Sequence, residues 1–357
     1  MARPVEKSWN SNDSTVHAAT QPGPDWDRYV AAHSGSSIYH RSAWVLFVRE
    51  VFGQEVWFLK LFDAGGHLAG VLPLIRQKGP VSGSFMTSLP YFNYGGPLAN
   101  TAEGAIELMT RARELAREQG CRYLELRDTD SRSCGWPVRT DKVSMVLDLP
   151  ADAASLASQL GSKMRSQIRR SDRESPAVVT GGLELVDDFY DVFCRNMHAL
   201  GTPVYPRRFF AELLARFPDH CKLVLVRSGQ VPMAAGFLVV SGKLAEIPWA
   251  ACREDAKLRG YNMKLYWECL VYAIARGCTR FDFGRSTAGS GTFRFKSQWG
   301  ARPVQLHWHR WDFRNSNPAP ENPTDGRLRR TVGEVWKRLP LAVANFAGPL
   351  ISPRLPW

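Results

Sequence analysis

The chain has 357 residues, of which 44% are hydrophobic and 11% aromatic, enough apolar material for packed cores and too much for a largely disordered protein. That length exceeds one ordinary domain, so two are expected. A balance of 46 Lys and Arg against 34 Asp and Glu leaves a net charge of +12, which suits either an anionic partner (a phosphorylated or nucleotide-bearing substrate, RNA, an acidic membrane surface) or a basic but otherwise ordinary enzyme.

In chain order, residues 1–24 are polar, with Asn, Ser, Thr and Pro, and read as a loose tail. Trp44, Val45, Phe47, Val48 and Val51 mark a helix that Gly53 ends. Residues 56–62 and 68–75, joined by Asp63-Ala64-Gly65-Gly66, predict a β-hairpin. The stretch Leu89-Pro90-Tyr91-Phe92-Asn93-Tyr94-Gly95-Gly96-Pro97 is too rich in Gly and Pro for a central strand yet aromatic for a loop. It reads as a substrate wall or as core packing under a loop, with Tyr91 and Asn93 as substrate-binding candidates. A helix over 101–118, with Ile106, Met109, Ala112 and Ala116 on one face and a stop at Gly120, feeds a strand over 122–127, an α/β or α+β layer signature.

Residues 143–149 read as a strand and 152–174 as one helix with Leu156, Leu160, Met164 and Ile168 at four-residue spacing. Lys163, Arg165, Arg169, Arg170 and Arg173 flank that stripe, as a solvated face or as a contact for phosphate or RNA. A helix around Phe189, Phe193 and Met197 ends at Gly201-Thr202-Pro203, and Tyr205 precedes another over 209–217. A hairpin over 222–226 and 231–240, a strand over 245–251 and a helix over 261–275 then repeat the plan of the first half.

The duplication is visible in the residues. Gly120-Cys121-Arg122-Tyr123-Leu124-Glu125-Leu126 answers Gly277-Cys278-Thr279-Arg280-Phe281-Asp282-Phe283, which makes Glu125 and Asp282 equivalent, and Ala69-Gly70-Val71-Leu72 answers Ala235-Gly236-Phe237-Leu238. The stretch beyond Phe283 has no counterpart after Leu126. Gly284-Arg285-Ser286 leads through a Gly/Ser-rich loop to Phe295-Lys296 and Trp299-Gly300, a cation set between aromatics. Beyond a Pro- and Asn-rich linker over 315–323, Leu328, Val332, Val335, Trp336 and Leu339 form a basic amphipathic helix interrupted by Pro340. The last apolar piece, 341–351, either docks on the protein or touches a membrane surface. The expected division is a tail over 1–24, domains over 25–150 and 151–315, and a linker with a short basic tail over 316–357.

Hairpin, strand, helix and strand, twice over, resemble a tandem pair of GNAT-like (acyl-CoA N-acyltransferase) domains, an α+β fold with each mixed sheet flanked by helices. The resemblance is to the FemAB-like family, and within it to FemAB-related proteins associated with PEP-CTERM/exosortase exopolysaccharide systems. It rests on residues 89–96, Lys163-Met164-Arg165-Ser166-Gln167-Ile168-Arg169-Arg170, Leu200-Gly201-Thr202-Pro203, Asp282-Phe283-Gly284-Arg285-Ser286, Phe295-Lys296 and Trp299-Gly300, and spans roughly residues 25–315. It implies transfer of an acyl or aminoacyl group to an amine (an amine-bearing small molecule, amino sugar or peptide) in a cleft involving both domains. The donor would be acyl-CoA or aminoacyl-tRNA, used as a co-substrate with no tightly bound cofactor. Lys296 falls where that family keeps a lysine of its cleft. An acyl-CoA loop of pattern Q/R-x-x-G-x-G/A would map to Lys257-Leu258-Arg259-Gly260-Tyr261-Asn262. There Lys257, Arg259, Gly260 and Asn262 are candidates for donor phosphate, but the first position is Lys and the last Asn. No inserted coiled-coil arm, as some tRNA-dependent relatives carry, is present.

The seven cysteines include no C-x-x-C pair and no Cys/His cluster of zinc spacing, so neither a disulfide frame nor a metal is indicated. No G-x-S-x-G elbow or Cys/His pattern organises a nucleophile, which leaves direct attack of an amine on a bound carbonyl. Lys296 is the expected charge stabiliser, supported by Arg285, and Asp282 is either the base or a structural strand acid. Tyr91, Asn93, Tyr205, Lys163, Arg165 and Ser286 are the expected substrate contacts, while His198, His307 and His309 are expected to hydrogen-bond structurally. With no signal core and no run of the roughly 20 apolar residues a bilayer span needs, a cytoplasmic protein is expected, with the tail contacting the inner membrane peripherally as an alternative. The competing class is a non-catalytic basic binder of polysaccharide, RNA or a protein partner.

Overall fold

The computed structural model describes residues 6–10, 14–79, 83–314 and 327–355, except the side chains of 327–330. Two compact units emerge: Met1–Lys142 with Gln305–Glu321 and Arg354–Trp357, and Val143–Val304 with Asn322–Pro353. The division therefore falls at Lys142 where residue 150 was expected, and the chain returns at Gln305 to complete the first unit. The linker stretch 315–323 lies outside the described residues.

The first unit carries one sheet, with strands numbered in chain order: β1 (Glu6–Asn10), β2 (Ser14–Ala19), β3 (Glu55–Asp63), β4 (Leu68–Gly79), β5 (Gly83–Thr87), β6 (Leu98–Ala99), β7 (Tyr123–Asp128), β8 (Val138–Arg139) and β16 (His307–Asp312). Their order is β1-β2-β3-β4-β5-β7-β16-β8, with β6 on β4. Helices α1 (Trp26–Ala32), α2 (Ser42–Phe52) and α3 (Ala102–Glu118) belong to it.

The stretch expected to be a loose tail corrects that reading. Strand β2 pairs along β3 from Ser14–Asp63 to Ala19–Phe58, and Val16 and Ala18 are fully buried against the core that holds Leu59 and Leu61. Polar strand ends hid an inward-pointing pair at alternate positions.

The second unit repeats the plan with β9 (Lys142–Asp148), β10 (Ala177–Gly181), β11 (Cys221–Ser228), β12 (Val231–Ser241), β13 (Leu244–Cys252), β14 (Arg280–Thr287) and β15 (Arg302–Gln305), in the order β10-β11-β12-β13-β14-β9-β15. Its helices are α4 (Ala153–Gln159), α5 (Ser162–Arg170), α6 (Val186–Ala199), α7 (Arg207–Arg216), α8 (Glu254–Lys257), α9 (Tyr261–Ala275), α10 (Gly291–Ser297), α11 (Arg327–Arg338) and α12 (Leu341–Ile351). The single helix expected over 152–174 is in fact broken. Leu160 is extended, Gly161 starts α5 afresh, and the Arg165 guanidinium caps the end of α4 through the carbonyls of Ala157 and Leu160.

The equivalence read from the sequence has a physical basis in both units. Cys121 donates its N–H to Ala116 O and Cys278 to Ala273 O, so each Gly-Cys pair closes a helix with the glycine at positive φ. A Cβ at Gly70 would meet Leu108 at 3.0 Å, and one at Gly236 would meet Ile247 at 3.0 Å and Cys269 at 3.2 Å. The two glycines therefore let α3 and α9 press onto their sheets.

Because Val16 is fully buried on a strand that holds the edge of β3, Val16→Ala should destabilise the fold by about 1–2 kcal/mol. A thermal melt unchanged from wild type would remove β2 from the core.

Candidate active site

The site is built on β14 of the second unit. Strands β13 and β14 run parallel and share three register pairs, Leu244–Arg280, Ala245–Phe281 and Glu246–Asp282. Beyond that point β13 continues to Cys252 and β14 to Thr287 without pairing to each other, which opens a wedge inside the sheet. Main-chain groups along such a wedge can take an extended amide-bearing arm as an added strand.

At the end of the paired segment Asp282 is 0% exposed. It accepts hydrogen bonds from Ser144 Oγ on β9 at 2.5 Å and from the N–H of Gly284 at 2.7 Å. Gly284 sits at φ +77, a conformation that side chains resist and that turns the strand's carbonyls aside. Into that turn comes Lys296. It stands on α10, a helix capped by Ser290 Oγ accepting from Phe293 N–H at 3.2 Å, where the sequence suggested a loop.

The Lys296 ammonium, 7% exposed, donates to Gly284 O and Arg285 O, both at 2.9 Å. Its third N–H has no partner among the described residues. Burial pulls its pKa down to about 8, with the Asp282 carboxylate opposing that shift and the Arg285 guanidinium adding to it. Ser286, two positions past Gly284, is 4% exposed and its hydroxyl has no hydrogen-bond partner among the described residues. A buried, unsatisfied hydroxyl costs free energy unless something meets it, so it marks a place where a ligand polar group fits.

One residue was missed by sequence reasoning. Glu246 is buried and faces the same side of the sheet as Asp282 through their register pairing. An acid inside an otherwise apolar strand was its available signal.

The candidate phosphate loop follows β13. Gly260 caps α9 at φ +87, and a Cβ there would lie 3.0 Å from Gln167 O and 3.2 Å from Arg170, so α5 packs against this helix start. Arg259 is ion-paired with Glu174, which also accepts from the Tyr261 hydroxyl at 2.9 Å, and Lys257 is paired with Glu254. Asn262 is half-buried in the first turn of α9. A cleft of about 260 Å³ opens nearby, lined by Arg195, His198, Cys252, Arg253, Asp255 and Leu341.

The other predicted contacts are placed differently. Lys163 is exposed on α5, and Arg165 is spent on the carbonyls of α4. Tyr205 is buried against Phe209, with its carbonyl accepting from Tyr190. Tyr91 and Asn93 lie buried in the first unit, where the Tyr91 hydroxyl accepts from Gln54 at 2.5 Å and Gln77 at 3.3 Å. Their loop is stitched to β7 through Ser88 N–H to Glu125 O and Gly95 N–H to Arg127 O, so both rows of aromatics fill the core instead of facing solvent. The three histidines contact carbonyls: His198 that of Leu339, His307 that of Thr129 and His309 that of Asp130.

Residues 162–297 match the family described as "Acetyltransferase (GNAT) domain", the span that contains β13, β14, α9 and Lys296. No curated protein sequence matches the chain. Among solved structures it is similar to FemX, with a TM-score of 0.62 at 12% identity over 79% of this chain and 94% of that one. It is also similar to a tandem GNAT protein from the clavulanic acid biosynthesis pathway (TM-score 0.52, 12% identity, 83% of this chain and 95% of that one). L-PGS from Bacillus licheniformis gives a TM-score of 0.52 at 11% identity, over 89% of this chain and 97% of that one. The fold is thus a duplicated GNAT-like α+β fold whose second unit matches the GNAT acetyltransferase domain, which supports an acyltransferase.

Proposed function

We propose that the second unit transfers an acyl or aminoacyl group to an amine, in the FemAB manner, with the wedge between β13 and β14 as donor channel. The observation that carries the proposal is the Lys296 ammonium, buried on two carbonyls with one N–H left over, beside the unpartnered Ser286 hydroxyl. The amine attacks the acyl carbonyl, a C–N bond forms, the thioester or ester bond breaks, and the proton the amine loses ends on the departing thiol or hydroxyl. Lys296 and Ser286 offer donors for the oxygen that becomes negative. Arg285 stands next to that charge and tunes it. Asp282, already holding two donors, serves as a positioning residue that fixes Ser144, the Gly284 turn and the ammonium. The sequence motifs that resemble the FemAB-like family suggest an acceptor of the cell envelope, an amino sugar or peptide, and an exopolysaccharide system of the PEP-CTERM type fits the same chemistry.

A phosphate-bearing donor is supported by the charge around the start of α9. Lys163, Arg169, Arg170 and Arg173 have no acid partner among the described residues, whereas Asp172 and Glu174 are turned onto Lys264 and Arg259. Lys257, Arg259, Gly260 and Asn262 then form the proposed phosphate contact, with Lys163 exposed on the neighbouring helix, where Arg165 is held by the end of α4. Incubating purified protein with labelled acyl-CoA, and separately with aminoacyl-tRNA, tests the reading: one donor should label an amine acceptor. Failure of both, with binding to polysaccharide or RNA intact, would favour a non-catalytic binder.

Three outcomes are expected. Lys296→Ala should fold normally and lose about 10²–10³-fold in kcat. With a pKa of about 8, the lysine is an ammonium at neutral pH and loses its charge as pH rises. The wild-type rate should therefore fall through about pH 8, and a flat profile to pH 10 would exclude the cation from the chemistry. Glu174→Gln should release Arg259 and lower the donor KM by up to about fivefold with kcat unchanged, because an exposed pair is worth at most about 1 kcal/mol. An unchanged or raised KM would remove Arg259 from the phosphate contact.

A further inference from the structure

The two C-terminal helices are apolar on the wrong side for a protein that stays in bulk water. Along α12 the small residues Ala344 and Gly348 are buried, together with Ser352 just past its end, at four-residue spacing. Val343, Phe346 and Leu350, at helical spacing on the opposite face, are exposed, Phe346 at 77% and Leu350 at 61%. The inward small residues have a packing reason. A Cβ at Gly348 would lie 2.9 Å from Val204 N, so the helix seats closely on the loop between α6 and α7. The docked hairpin is further tied by His198 Nε2 to Leu339 O at 2.8 Å and by the close approach of Gly333 to Gly201. The two helices are thus anchored, with Trp336 buried as well, yet α12 turns Val343, Phe346 and Leu350 outward.

Val332 and Val335 of α11 and Ile351 of α12 are exposed as well, so six of the eleven exposed large apolar side chains among the described residues lie between 332 and 351. That concentration sets these two helices apart from the rest of the described surface, where single exposed apolar residues need no explanation. Around it the sequence places Arg327, Arg329, Arg330, Lys337, Arg338 and Arg354 against a single acid, Glu334. Glu334 is paired with Lys337 at 2.7 Å. An apolar strip bordered by cations is complementary to a bilayer surface of anionic headgroups over acyl chains. Helix α12 has 11 residues, about 16 Å at the helical rise, roughly half the hydrocarbon thickness, so it suits lying in the interface and not crossing it.

From this we infer that the α11–α12 hairpin is a docking surface for an anionic lipid bilayer, with Phe346 and Leu350 inserting among the acyl chains and Arg338 and Arg354 meeting headgroups. The inference stands apart from the transferase reading and needs no turnover to test. Full-length protein should co-sediment with phosphatidylcholine vesicles containing roughly one-third phosphatidylglycerol, and release as salt rises. Pure phosphatidylcholine should retain at least about tenfold less, and each of Arg338→Gln and Arg354→Gln should weaken binding by roughly fivefold. The double variant Phe346→Ser with Leu350→Ser changes exposed side chains alone. It should melt as wild type does and lose vesicle binding. Wild-type binding by that variant, equal retention on neutral and anionic vesicles, or no retention at all would overturn the inference. So would a concentration-dependent wild-type dimer that the double variant abolishes, because the patch would then be covered by a second copy.

Discussion

A charged amine is held almost out of water by two carbonyl oxygens, and the local architecture of the second unit is arranged to make that tolerable. Burying an ammonium without partners costs several kcal/mol, and the usual outcome is loss of its proton. Here Gly284, at φ +77, bends β14 so that its own carbonyl and that of Arg285 both reach Lys296 at 2.9 Å. The bend is itself fixed, because Asp282 accepts the Gly284 N–H while Ser144 fixes Asp282 from β9. Helix α10, started by the Ser290 cap, delivers the lysine at the right height. The compromise leaves a cation at neutral pH that is easy to discharge above it, with one donor unspent.

The first unit shows what happens when the same plan is closed. Glu125 is the counterpart of Asp282 in the parallel register of β5 with β7, Thr87 opposite Glu125 as Glu246 is opposite Asp282. Two residues on, where the second unit has Gly284, the first has Arg127. Its guanidinium is buried, bonded to Glu125 and to Phe92 O at 3.3 Å each, and stacked over Trp308 at 4.6 Å. The loop carrying Tyr91 and Asn93 runs along β7 and fills the space that stays open between β13 and β14. The occupied wedge thus differs from the open one by an arginine at the glycine's position and by a loop laid along the strand.

Much of this could be read from the residues, and the gaps have physical causes. The duplicated helix, Gly-Cys turn and strand were legible because a helix end at positive φ and an acid between two large apolar residues are local signals. Lys296 stood out as a cation among aromatics. Its helix did not, since seven residues after a Gly/Ser run give too short a period to see, although the Ser290 cap was there in the sequence. Strands β1 and β2 were hidden because β1 lies at the sheet edge with no buried residue and β2 turns only Val16 and Ala18 fully inward. The break at Leu160–Gly161 was masked by an apolar stripe that keeps its four-residue spacing across two helices. Tyr91 and Asn93 could not be assigned, because an aromatic loop filling a core and one lining a pocket have the same composition.

Charge raises the same point at another scale. A net charge of +12 says that anions are favoured without saying where. Pairing decides that. On the segment after α5 the two acids are engaged at the surface, Asp172 with Lys264 at 3.1 Å and Glu174 with Arg259, which leaves Arg169, Arg170 and Arg173 exposed without acid partners among the described residues. The same contact has opposite effects on its two ends: it exposes a basic face, and it engages the guanidinium that a donor phosphate at the start of α9 would use. On the proposed reading, donor binding there is an exchange of one anion for another. Its strength depends on how much better a phosphate suits Arg259 and the α9 N–H groups than the Glu174 carboxylate does, and the cations on α5 tilt that exchange toward the ligand carrying more charge.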